Sequence, residues 1–174
     1  MSARTKISKG FTLVEILIVV VILGILAAIV IPQFTKASES AKASSLNSQL
    51  QTIRSQLELY QVQHNGDYPT LARLTTTDTD ANGQNDWEQL TTETEVDGTA
   101  GDSSGNEFGP YLQKAPTNPF MNTSDVAAAA AADLGWVYVG GGATTPTLQA
   151  VLPATVFAER INLGMADNDV VLEP

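Results

Sequence analysis

The chain has no cysteine and a single histidine, His64, in 174 residues. No disulfide can hold it together, even in an oxidising compartment, so its stability rests on packing, on neighbouring subunits or on a metal. Nucleophilic chemistry finds little to work with. There is no thiol, no Gly-x-Ser-x-Gly elbow and no phosphate loop, since Gly140-Gly141-Gly142 is not followed by Lys-Ser or Lys-Thr. His64 falls at the end of a helical pattern, where a surface or capping role is expected rather than a general base. Positive charge is also scarce, with nine Lys and Arg against nineteen Asp and Glu and none between Thr75 and Gln113. A formal charge of −10 disfavours nucleic acid or an anionic membrane surface as a partner. The acidic loops lack the apolar walls that would raise one carboxylic acid's pKa for hydrolysis.

What the chain does have is one long apolar run. From Phe11 to Ile31 only Thr12 and Glu15 are clearly polar, and Pro32 closes the stretch. As a helix these residues would be ~31 Å long, one hydrocarbon thickness. Arg4, Lys6 and Lys9 precede the run, while Lys36 and Lys42 beside Glu39 follow it. The positive-inside bias therefore keeps the first ten residues in the cytoplasm and sends the remainder across. A cleaved secretory signal fits poorly. Ala27-Ala28-Ile29 is a weak cleavage site, and the run exceeds the usual signal core and continues into a helical pattern. Glu15 sits about one turn inside, where an unpaired carboxylate costs on the order of 2–3 kcal/mol at mid-bilayer and less near the edge. Something must neutralise it.

Lys9-Gly10-Phe11-Thr12-Leu13-Val14-Glu15 resembles the prepilin peptidase site of the type IV pilin and type II secretion pseudopilin superfamily. The resemblance implies cleavage after Gly10 by prepilin peptidase, N-methylation of Phe11, and retention of the apolar helix. It also implies that Glu15 meets the N-terminal amine of a neighbouring copy in a homopolymeric filament. Loss of residues 1–10 removes three basic residues and takes the side-chain charge to near −13. The partners so implied are inner-membrane lipid, an inner-membrane assembly platform and minor pseudopilins, with no nucleic acid. The bland alternative is a plain anchor whose Glu15 snorkels to the interface.

Beyond Pro32, where a bend or local loosening near residues 28–32 is expected, the helix continues. Ala37, Ala41, Leu46, Leu50, Ile53, Leu57 and Tyr60 form an apolar face, and Asn65-Gly66 is a stop signal. The helix extends from about Phe11 to His64, with Arg54 and Glu58 placed to pair weakly. The regular pattern lasts about two heptads, short of a coiled coil, so a helix laid on a sheet is preferred. Asp67-Tyr68-Pro69-Thr70-Leu71-Ala72-Arg73-Leu74 is similar to the Tyr-Pro-Thr segment after the long helix in major pseudopilins of type II secretion. Lys114, Pro116, Pro119 and Phe120 resemble the segment before their first strand, with Asn118 replacing an acid. Any domain might use the same residues as a turn and an extended stretch.

Residues 75–107 read as a polar loop region carrying nine acidic residues from Asp78 to Glu107. Asp78, Asp80, Asn82 and Asp86, with Gly83 at the turn, match the first nine positions of a calcium loop. The twelfth position is Gln89, however, and no closely preceding helix completes a hand. A calcium site and a solvated acidic loop are both open readings. Many major pseudopilins carry calcium, on a loop nearer the C-terminus, so their ligands are not transferred; Asp97, Asp102 and Glu107 are further candidates. Asn122-Thr123-Ser124 is a formal glycosylation triplet that occurs often by chance.

Val126 to Ala132 is expected as a short helix or ordered crossover. Leu134 to Val139, Thr147 to Leu152 and Asp169 to Leu172 are expected as strands, with Thr155 to Leu163 helix or strand. The fold class is α+β, pilin-like: a long N-terminal helix packed on a small antiparallel sheet. The organisation is a leader (1–10), a transmembrane and assembly helix (11–32), the amphipathic half of the helix (33–66) and a periplasmic globular domain (67–174). The function expected is a pseudopilus subunit of type II secretion. A type IV pilus subunit for adhesion or DNA uptake is the alternative, and a membrane-tethered calcium-binding or hydrolytic domain is a third.

Overall fold

A computed structural model describes residues 10–74, 87–98, 108–160 and 162–173. The chain divides into two units, one up to Glu39 and one from Ser40 onward. Helix α1 (Leu13–Gln63) supplies the regular structure of the first unit among the described residues, and the spine of the second.

In the first unit the helix is unbroken through Pro32. A proline withholds one backbone donor, and here that does not end the helix. The Thr35 hydroxyl donates to the Ile31 carbonyl one turn earlier (3.2 Å).

In the second unit α1 buries Ala43, Leu46, Leu50, Ile53, Leu57 and Tyr60. These follow one another at steps of three and four residues, so a single stripe faces the core. Ala37 and Ala41, expected on that face, are exposed, and Ala43 takes the place. His64 continues the stripe one step beyond Tyr60 and is 2 % exposed. The expectation of a surface or capping histidine is corrected by that register. The helix ends as its residues dictate, with Asn65 left-handed (φ 56°) and the Gly66 amide donating to the Gln61 carbonyl at 2.9 Å.

Four strands form one sheet in the order β1-β2-β3-β4: β1 (Val126–Ala127), β2 (Trp136–Gly141), β3 (Thr144–Leu152) and β4 (Val170–Leu172). The α+β class holds, but the sheet is mixed rather than antiparallel throughout. β2 and β3 pair antiparallel, whereas β1–β2 and β3–β4 are parallel. Parallel neighbours require a crossover, and α2 (Ala154–Glu159) lies in the connection from β3 to β4. That settles the ambiguous stretch Thr155 to Leu163 as helical at its start. Val126–Ala127, expected within a short helix or ordered crossover, pairs as a strand with Trp136 and Val137. A run of seven residues is too short to hold a helix against a competing strand partner. Two single turns of helix, Leu71–Leu74 and Glu88–Thr91, complete the regular structure among the described residues.

Arg54 does not pair with Glu58 as expected. Its guanidinium reaches the sheet, donating to the Leu148 carbonyl (2.9 Å) and bridging to Asp169 (2.8 Å). Gly141 is held at φ 108°, and a Cβ there would lie 2.3 Å from the Pro69 carbonyl oxygen. The glycine run therefore bulges β2 and lets the Tyr68-Pro69 segment close on the strand end, where Tyr68 and Gly142 exchange backbone hydrogen bonds of 2.8 and 3.0 Å. Tyr138 anchors the same segment through its hydroxyl, which donates to the Pro69 carbonyl.

Asn118 lies at the junction of the loop 108–125 with the sheet. It is fully buried, and its amide nitrogen donates to the carbonyls of Gly135 (2.8 Å) and Val151 (2.7 Å). Its oxygen accepts from the amides of Phe120 and Met121. The side chain ties β3 and the approach to β2 to the turn that precedes β1.

Candidate functional site

The residues expected to act at the N-terminus lie together at the start of α1. Gly10 is exposed, Phe11 is 82 % exposed, and Leu13 is the first helical residue. Thr12 is therefore the N-cap and Glu15 the third helical residue. The Glu15 amide donates to Thr12 Oγ1 (3.2 Å), while the Thr12 amide and hydroxyl donate to Glu15 Oε2 at 3.0 and 2.9 Å. This is a reciprocal capping box, two orphan donors of the first turn satisfied by two side chains. Thr-x-x-Glu before an apolar run is its signature in the sequence. All three bonds leave Glu15 Oε1 without a hydrogen bond among the described residues. A carboxylate beside the positive end of a helix, with one oxygen open, is equipped to receive a cation.

Around it the helix is apolar on every side. Each large apolar side chain from Leu13 to Ile31 is more than half exposed, and Phe34 is 75 % exposed. Water does not stabilise such a surface; lipid or other protein must cover it. By length and composition α1 is the one helix among the described residues apolar enough to cross a membrane.

The calcium candidates Asp78, Asp80, Asn82 and Asp86 lie outside the described residues, as do Asp102 and Glu107. Asp97 is described and exposed. Among the described residues no three His, Asp or Glu side chains come close enough together to hold a metal ion.

His64 is walled in. Its ring stacks on Tyr60 with centroids 3.6 Å apart and meets the edge of Phe108. Nδ1 lies 2.9 Å from the Tyr60 carbonyl, which only accepts, so Nδ1 carries the proton and Nε2 accepts from the Thr94 hydroxyl at 3.0 Å. Burial holds its pKa below the usual imidazole value, outweighing the opposing pull of the Tyr60 and Glu95 backbone and the Asp97 charge. With both nitrogens engaged, it is a structural residue.

A family model described as the prokaryotic N-terminal methylation motif matches residues 5–31, which include Gly10, Phe11, Glu15 and the apolar run. The ComG operon protein 3 homolog of Bacillus licheniformis is 36 % identical over 66 residues, which are 38 % of this chain and 68 % of that protein. The chain belongs to the type IV pilin-like family of pilins and pseudopilins. The type II secretion system core protein G of Pseudomonas aeruginosa is 44 % identical to this pilin-like chain over 62 residues, 36 % of the chain and 43 % of the relative. The type IV narrow pilus major component PilA5 of Thermus thermophilus is 39 % identical over 59 residues, 34 % and 51 % respectively. The chain thus matches only about half of the length of these last two relatives. No solved structure matches it. Like these relatives, this pilin-like chain is a type IV pilin-like filament subunit. The start of α1 is its membrane anchor, and the second unit is its soluble domain.

Proposed function

We propose that this pilin-like chain is the pseudopilus subunit of a type II secretion system. Prepilin peptidase cuts between Gly10 and Phe11, the new amine is methylated, and the subunit stays in the inner membrane with its second unit in the periplasm. Copies then leave the lipid and pack through Phe11 to Ile31, on an assembly platform and with minor pseudopilins, and growth of the filament drives exported proteins outward. The observation that carries this reading is the exposed carboxylate in the apolar first half of α1. Its Oε2 is held by Thr12 and its Oε1 is open, so the N-terminal amine of the next copy completes its coordination only in the assembled state.

Intact-mass measurement of the membrane form tests the processing. Loss of residues 1–10 with one added methyl group on Phe11 is the expected result; a mature chain that starts elsewhere removes the proposal. Glu15→Ala then abolishes filaments while membrane insertion persists.

A second reading, a surface pilus subunit, is favoured by the Thermus relative. Deleting the gene separates the two. Exported enzymes trapped in the periplasm support the secretion role, and loss of surface fibres alone supports the pilus.

A further inference from the structure

Asn122-Thr123-Ser124 is a motif that filament assembly leaves unused. Of the nine asparagines in the chain, Asn122 alone is followed by a residue other than proline and then by Ser or Thr. Such triplets are common in sequences, and most are useless because the fold hides them or occupies their side chains. This one stands in the open. Asn122 is exposed in the turn that Asn118 closes, where the Asn118 amide donates to the Thr123 carbonyl (2.9 Å) and the Asn122 amide donates to the Asn118 carbonyl (2.7 Å). Its φ of 58° is left-handed, a conformation that asparagine tolerates.

Two asparagines in one turn have opposite fates. Asn118 is fully buried and uses its whole amide in hydrogen bonds to Gly135, Val151, Phe120 and Met121. The Asn122 side chain makes no hydrogen bond among the described residues. The backbone beyond it is nonetheless held fast. Thr123 Oγ1 accepts from the Asp125 amide (3.2 Å), and the Ser124 carbonyl accepts from the Trp87 indole N–H (2.7 Å). A Cβ on Gly135 would lie 2.5 Å from the Thr123 carbonyl oxygen, so the strand approach packs directly against this segment. The Ser124 hydroxyl, half-buried, also has no hydrogen bond among the described residues. The fold thus fixes the main chain and leaves uncommitted the two groups that an N-glycosyl transferase reads, the asparagine amide and the hydroxyl two residues later.

We infer that Asn122 is an N-glycosylation site, with Ser124 supplying the hydroxyl by which the transferase recognises it. The donor class is an oligosaccharide carried on a polyprenyl diphosphate. Asn122 Nδ2 forms a bond to the anomeric carbon as the bond from that carbon to the diphosphate oxygen breaks. The polyprenyl diphosphate leaves with the electron pair, and the amide gives up one proton. No oxidant or reductant is needed. This rests on the proposed export of the second unit, which brings the turn to the side of the membrane where such donors are used. A bulky hydrated glycan also requires that residues 118–123 face solvent in the filament rather than a neighbouring copy.

Mass spectrometry of the full-length chain from its own host's membranes tests this. No Lys or Arg lies between Lys114 and Arg160, so trypsin releases the motif in one peptide, from Ala115 to Arg160. That peptide carries the added mass of a discrete oligosaccharide on Asn122 in the unaltered chain. The mass is lost in Asn122→Gln and in Ser124→Ala and kept in Ser124→Thr. A chain cut after Gly10 and methylated, with Asn122 bare, overturns the inference and leaves export standing. Sugar that survives Asn122→Gln, or that is indifferent to Ser124→Ala, also overturns it. A chain that keeps residues 1–10 and has Asn122 bare overturns both. Site assignment on the unaltered peptide holds whether or not a variant folds.

Discussion

Replacing Asn118 with Asp changes one NH2 group to an oxygen, and the position discriminates sharply between them. The amide nitrogen makes two donations, to Gly135 and Val151, in a site with no solvent exposure. An ionised carboxylate makes neither, because it only accepts. Two lost hydrogen bonds at about 1–1.5 kcal/mol each come to roughly 2–3 kcal/mol. The buried charge then faces two carbonyl oxygens, so the deficit at neutral pH exceeds about 3 kcal/mol. For a domain of this size that corresponds to a fall of roughly 10 °C in melting midpoint. The two tryptophans, Trp87 and Trp136, are both fully buried in the second unit and pack edge to face at 6.0 Å, so their fluorescence follows this domain within the detergent-solubilised full chain. The charge carries its own signature. Burial raises the introduced carboxyl's folded pKa above its unfolded value of about 3.9, so the penalty grows as pH rises through that value and shrinks as pH falls toward it. Asn118→Ala loses the same donors without a charge, and its deficit is flat over that range. An Asn118→Asp chain that melts with the unaltered protein at about pH 7, or whose deficit does not depend on pH, refutes the reasoning.

His64 gives the unaltered chain a pH dependence. Its folded pKa lies below the unfolded value, so its contribution is complete above about pH 6.5 and is lost as pH falls from there to the folded pKa, at up to about 1.4 kcal/mol per unit. His64→Phe keeps the ring against Tyr60 and abolishes that slope in denaturation series. Gly141→Ala combines a positive φ with a Cβ 2.3 Å from the Pro69 oxygen, and costs more than about 1 kcal/mol in the same fluorescence assay. Calcium held by Asp78, Asp80, Asn82 and Asp86 raises the melting midpoint in proportion to the logarithm of its concentration above the dissociation constant, and chelation reverses this. A midpoint indifferent to calcium and chelator rules the site out.

Local chemistry carried a large part of this molecule. The apolar run, the 3-4 stripe from Leu46 to Tyr60, the Asn65-Gly66 stop and the β2 and β3 strands were legible because each depends on a residue's own backbone preference or on a period within one element. The carboxylate at Glu15 was legible for the same reason, as a lone acid in an apolar helix. Its capping partner Thr12 is equally local, three residues away in the Thr-x-x-Glu signature.

Other features were decided only when distant segments met. Ala-rich residues at 126–132 favour helix by propensity, yet Val126 and Ala127 join a strand because Trp136 and Val137 offer backbone partners. Arg54 prefers Asp169 and Leu148 over its helical neighbour Glu58 because the sheet holds those acceptors in place without ordering a second long side chain. The burial of His64 and the four side-chain hydrogen bonds of Asn118 likewise come from elements far apart in the chain. A sequence declares which groups want partners, and only the folded backbone decides which partners stand within about 3 Å of them.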